Sequence, residues 1–150
     1  LACLDILGST PAPGIITDPP GGDWKLIESR GFFRSNGPSW TRTEGEARVY
    51  GFRALPKHLN RQGIVHGGML MAFLDRTLGM EISVATGAPI QATIQLDTQF
   101  VSVVNAGDFV ESRAKVVRRT RSVIFVWGEL SVDGRPVARA QGIWKVREPR

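Results

Sequence analysis

The run Met69-Leu70-Met71-Ala72-Phe73-Leu74-Asp75-Arg76-Thr77-Leu78 constrains this chain more than any other stretch. Gly67 and Gly68 open it, and its apolar residues fall on nearly every face of a 3.6-residue repeat. A helix of that kind has little to offer water, so the pattern predicts one helix buried in a fold or an interface, running to about Ala85. A lone carboxylate, Asp75, sits inside it with Met71, Ala72, Leu78 and Gly79 as helical neighbours. An unpaired buried charge is costly, so Asp75 is expected to be compensated and to carry chemistry. The structural alternative is an aspartate at the rim of the helix.

The start of the helix offers the complementary chemistry. Backbone N–H groups at a helix N-terminus are free, and the dipole there favours negative charge, so Gly67 is placed to polarise a carbonyl. Asp75 lies eight residues on, roughly 12 Å along a helix that rises about 1.5 Å per residue. Both cannot act on one carbonyl within a single chain. Two such helices antiparallel about a two-fold axis would bring Asp75 of one beside Gly67 of the other, which predicts a dimer with composite sites.

After the helix the pattern turns to strands. Val110–Val116 alternates, with Glu111, Arg113 and Lys115 outward. Val123–Val132 is apolar on both faces, with Ile124, Val126 and Leu130 on one and Val123, Phe125 and Trp127 on the other, which predicts a covered sheet or a further interface. Asp133-Gly134 is a two-residue hairpin signal leading into Val137–Val146. Ahead of the helix, Glu46–Arg53 reads as a strand stopped by Pro56, and Trp24–Ile27 as a short amphipathic start. Residues 1–23 hold Pro11, Pro13, Pro19 and Pro20 with several glycines and read as an irregular arm, which leaves 24–150 as a single domain. One long helix against an antiparallel sheet of about five or six strands is an α+β layer architecture.

Composition closes off other classes. No apolar run reaches the roughly 18 residues needed to cross a bilayer, so no membrane insertion is expected. The start, Leu1–Leu7, carries Asp5 and no basic flank, a poor signal peptide, and the missing initiator Met leaves room for chain upstream. The single cysteine, Cys3, excludes an internal disulfide framework and fits a reducing, cytoplasmic setting. With only His58 and His66 as histidines, no metal is expected. The net charge of +5 is scattered, apart from Arg118, Arg119 and Arg121, and lacks the aromatic–basic signature of an RNA-binding sheet. A nucleic-acid partner is therefore not expected.

Asn60, His66-Gly67-Gly68 and Asp75, followed by Thr93 on the strand Ala92–Leu96, resemble the hotdog-fold acyl-CoA thioesterases of the phenylacetate-pathway type. The resemblance continues through Asn105-Ala106-Gly107-Asp108, Arg118–Arg121 and Val132–Ala140, and covers roughly residues 45–147. It implies a curved sheet wrapped around one central helix, and hydrolysis of an aromatic or short- to medium-chain acyl-CoA without a cofactor, coenzyme A entering as part of the substrate. Phe125 and Trp127, apolar on a second strand face, suggest that the expected dimers pair further into a dimer of dimers. Asp75 would be general base or nucleophile, and Asn60 and Thr93 would position water or the carbonyl. His66 would hold the helix start or contact the thioester; no G-x-S-x-G elbow accompanies it. Gly68, Phe73 and the arginines 118, 119 and 121 are the expected substrate contacts, the arginines on the coenzyme A phosphates. Met69, Leu74, Leu55 and Leu59 are expected with Phe73 in the acyl pocket, and His58 on a surface loop. A non-catalytic acyl-CoA-binding protein is the alternative. A hotdog hydratase fits less well, because His66 and Asp75 are nine residues apart rather than close together in one loop.

Overall fold

A computed structural model describes residues 14–87 and 91–146. The first thirteen residues of the arm, with Cys3, and the expected break at Ala88-Pro89 lie outside the described residues. Strand β1 is Lys25–Leu26, helix α1 Phe32–Asn36, β2 Trp40–Glu44, β3 Ala47–Arg53 and the long helix α2 Gly67–Thr86. Strands β4 (Gln91–Phe100), β5 (Phe109–Arg119), β6 (Val123–Val132) and β7 (Arg135–Val146) follow. The sheet is antiparallel and runs β1-β2-β3-β5-β6-β7-β4. With α2 against one face, this is the hotdog arrangement. Two of its seven strands come from residues 25–44. There Thr41 and Thr43 alternate with Trp40 and Arg42, a β-favouring set too short to read as a strand beforehand.

Two backbone features fix the position of the helix. The β6–β7 turn places Asp133 at φ 48° and Gly134 at φ 79°, the doubly left-handed turn that matches strand twist. On β6, a Cβ at Gly128 would stand 2.5 Å from a methyl of Leu78, so the absence of a side chain there lets α2 settle onto the sheet. Tyr50, Phe52, Phe73, Leu74, Leu78, Ile82, Ile124 and Leu130 are fully buried between the two layers. Each apolar side chain of that size contributes about 1.5–3 kcal/mol on burial. A buried polar pair pins the layers together: Thr77 Oγ1 lies 2.7 Å from Ser112 Oγ on β5 and also donates to Phe73 O. Gly87, left-handed at φ 68°, ends α2 with its N–H on Ser83 O.

The helix is less uniformly buried than its composition implies. Met69, Leu70, Phe73, Leu74, Thr77, Leu78 and Ile82 face the sheet, while Met71 is 37% exposed and Asp75 is half-buried. Apolar residues all round the helix concealed which stripe the sheet would take. Asp75 is thus on the open side of the single chain, not enclosed by it.

Candidate active site

The entry to α2 is built from local hydrogen bonds. Asn60 Oδ1 accepts from the N–H groups of Gln62 (2.8 Å) and Ile64 (3.4 Å), tightening the loop, and Val65 bridges Leu59. The His66 N–H then donates to His58 O. His66 is the N-cap: its Nδ1 accepts from Gly68 N–H at 2.8 Å, and its carbonyl takes Met69 N–H and Leu70 N–H. An Nδ1 that accepts leaves the proton on Nε2, so the exposed edge of the ring is a donor. Among the described residues nothing accepts from Gly67 N–H, the one first-turn donor left for a ligand.

Beside Gly67 runs a groove of about 320 Å³, its walls including Asn60, Ile64, Leu70, Phe100 and Val101. The tip of the Phe100 ring would lie 3.2 Å from a Cβ on Gly67. Phe100 is 53% exposed at the end of β4, and sequence reasoning missed it. The alternation Leu96, Thr98, Phe100 hints at a shared face, but nothing in the sequence gives the register of β4 against α2.

The second cluster lies further along α2. Thr93 Oγ1 donates to Asp75 Oδ1 at 2.6 Å, a short charge-assisted bond that fixes the carboxylate's orientation. The register of β4 against β7 slips between Thr93 and Gln95, so Ile94 is an extra residue. Thr93, opposite the buried Trp144, therefore faces the helix in spite of its odd spacing from Leu96. Asn60, His66, Gly67 and Gly68 thus come together at the start of α2 and Asp75 with Thr93 two turns further on, and a single chain does not unite them.

The remaining expected residues are dispersed. Phe73 is fully buried with its ring edge-on to Phe52 at 4.7 Å, and Met69, Leu74 and Leu55 are also in the interior. None of these four lines the groove beside Gly67. The three arginines separate because the pleat and a bulge between Val116 and Arg118 turn them differently. Arg119 donates to Thr86 O at the C-terminus of α2, and Arg118 lines an open groove of about 790 Å³ with Phe125 and Trp127 on the outer face. Arg121 is exposed in the β5–β6 turn. His58 is not a surface residue: it is 3% exposed, its Nδ1 accepts from Leu55 N–H and its Nε2–H donates to Asn36 O. Burial pushes its pKa below the ordinary 6.5.

Among the described residues no group of three or more His, Cys, Asp or Glu is placed to hold a metal ion, and no helix is long and apolar enough to cross a membrane. The arrangement supplies a carboxylate steered by a hydroxyl, an open helix N-terminus, and an apolar groove beside it.

A family model described as the thioesterase superfamily matches residues 62–138, just over half of the chain. A Pseudomonas aeruginosa protein with a provisional esterase name is 28% identical over 127 residues, which make up 83% of this chain and 95% of that protein. Among solved structures, a Ralstonia eutropha protein, provisionally named a thioesterase and related to phenylacetic acid degradation, aligns with a TM-score of 0.66. It is 32% identical over 72% of this chain and 84% of its own. A mutant of the phenylacetic acid degradation protein PaaI from Thermus thermophilus aligns with a TM-score of 0.65 over 73% of this chain and 93% of its own. At 21% identity, that likeness concerns the fold alone.

Proposed function

The chain belongs to the thioesterase superfamily, and from that premise we propose that it hydrolyses the thioester of an aromatic or short- to medium-chain acyl-CoA, without metal or organic cofactor, in a site shared by two chains. The observation that carries this reading is the division of the machinery. The first turn of α2 presents the free Gly67 N–H, and its third turn presents Asp75 held by Thr93. Their separation of roughly 12 Å along the helix fits two antiparallel helices about a two-fold axis. Strand β4 supports the pairing, since among the described residues it ends the sheet with an unpaired edge, and Ile94 and Phe100 on it and Val101 and Val103 just beyond it are each more than half exposed.

In this reading the thioester carbonyl oxygen accepts from Gly67 N–H, where the helix dipole stabilises the oxyanion as it forms. Asp75 of the partner chain either removes a proton from water or attacks the carbonyl carbon itself, and coenzyme A leaves as the thiol. Thr93 keeps the carboxylate aimed, and His66 orders the first turn. Asn60 spends its oxygen on the loop and keeps its amide N–H groups for the ligand. The exposed apolar face around Phe125 and Trp127 is where dimers would pair.

Asp75→Asn tests the reading, because it preserves shape while removing the base or nucleophile. A fall in kcat of about 10² or more is expected in a folded dimer. Wild-type turnover by that variant would rule the assignment out. Binding of acyl-CoA without turnover by the native chain would favour the non-catalytic alternative.

A further inference from the structure

We infer that Phe100 sets the acyl selectivity of this site, admitting acyl-CoAs unbranched at the carbon next to the carbonyl and excluding branched ones. The inference rests on the thioesterase reading and concerns the groove beside Gly67. A carbonyl oxygen bound to Gly67 N–H sits about 2.9 Å from that nitrogen, so the next carbon of the acyl group comes down within a few ångströms of Gly67. The same residue is flanked by the Phe100 ring, whose Cζ and Cε1 would stand 3.2 and 3.3 Å from a Cβ at position 67. A methylene on the carbonyl carbon passes such a wall; a second substituent there meets the ring.

The composition of the groove places the acyl group, not the pantetheine arm, on this side. Its walls carry no charged side chain, and its polar side chains are Asn60 and Ser102. Ser102 Oγ is already committed, donating to Pro136 O at 2.6 Å and accepting from Arg135 at 2.7 Å. The pantetheine arm has two amides that lose affinity if desolvated without partners. Ile64, Leu70, Val101 and Phe100 suit hydrocarbon instead. Within its own chain Phe100 is exposed on the edge strand of the described sheet, so its truncation removes no core contact there of the size Phe52 or Phe73 makes.

The test compares butyryl-CoA with isobutyryl-CoA, and phenylacetyl-CoA with 2-phenylpropionyl-CoA, in wild type, Phe100→Leu and Phe100→Ala of matched oligomeric state. In wild type, kcat/KM is expected to favour each unbranched substrate by about tenfold or more. The preference should fall to within about threefold in Phe100→Ala and lie between in Phe100→Leu, a range typical of one or two methyl groups in an apolar site. Unchanged ratios in both variants overturn the inference while leaving hydrolysis standing. If wild type turns over none of the four, the ratios are read from the dissociation constants of ketone analogues with methylene in place of sulfur. Discrimination that Phe100→Ala abolishes there supports the role of Phe100 and sinks the hydrolase reading instead. Equal binding of branched and unbranched analogues by wild type overturns the role of Phe100.

Discussion

The first turn of α2 and its third turn hold the two halves of the candidate site in different ways. At the first turn every constraint is local: Asn60 ties its own loop, His66 caps the helix it begins, and His58, eight residues earlier, receives the His66 N–H. At the third turn Asp75 depends on Thr93, eighteen residues away and aimed by a bulge in an edge strand. Local capping is robust and readable, because its residues lie within hydrogen-bonding distance in sequence. The distant bond exists only once the sheet has formed, and among the described residues β4 has a neighbour on one side alone. One half of the candidate site is therefore held by its own segment, and the other by the pairing of β4 with β7.

The sharpest way to break this comparison is to separate the halves between chains. Asp75→Ala chains and Gly67→Val chains should each be nearly inactive, the second because the new side chain meets Phe100 and crowds the free N–H. Mixed and re-equilibrated, half of the dimers should be hybrids with one intact site of two. About a quarter of wild-type activity should then return if the chains pair at random. Continued inactivity after mass spectrometry has verified exchange would mean that each chain builds its own site.

The local half makes its own demands, and the largest fall on His58. His58→Ala leaves Leu55 N–H and Asn36 O without their partner and opens a cavity, and should cost about 2–3 kcal/mol in urea unfolding. The imidazole also links stability to pH. Because its folded pKa is lowered, its contribution is complete above the ordinary 6.5 and is lost as pH falls below that value toward the folded one. Wild type should therefore lose more stability between pH 7.5 and 5.5 than His58→Gln, which cannot titrate. Equal losses would show that His58 does not titrate on unfolding in that window.

His66 gives a smaller effect. Without the N-cap, His66→Ala should lose about 1 kcal/mol, and His66→Asn should recover most of it because asparagine caps well. Turnover separates the two roles open to this residue. If the Asn variant is stable and fully active, His66 only shapes the first turn. If it is stable but slow, the outward Nε2–H acts on the substrate as well.

What the sequence revealed follows the same division. The glycines that open α2, the Asp133-Gly134 hairpin and the outward Glu111, Arg113 and Lys115 on β5 are short-range patterns, and the structure agrees with them. The open flank of α2 was hidden because Met71 is as apolar as Met69 while only Met69 faces the sheet. For the same reason Phe73 was expected in a pocket and is in the core. Thr93 was legible only through family resemblance, since the bulge at Ile94 leaves no local signature. His58 looked like a loop residue because it follows Pro56 and stands next to Leu59, whereas its ring is buried against Phe52 and hydrogen-bonds Asn36 O, twenty-two residues away.

The smallest expected effects concern the arginines that the pleat separates. Arg119 hydrogen-bonds the C-terminal end of α2, so Arg119→Ala should reduce stability by about 0.3–1 kcal/mol and leave KM unchanged. Arg118, on the outer groove, and Arg121, in the exposed turn, have no such structural employment among the described residues and are the ones free to meet coenzyme A phosphates. Their removal would take away binding common to ground and transition states, raising KM a few-fold with little change in kcat. The rise should shrink with added salt and vanish for acyl-pantetheine substrates, which lack the nucleotide phosphates. A KM unmoved by Arg118→Ala and Arg121→Ala would locate the phosphates elsewhere. A KM raised by Arg119→Ala instead would place them at the far end of α2, beside the carbonyl that this arginine now occupies.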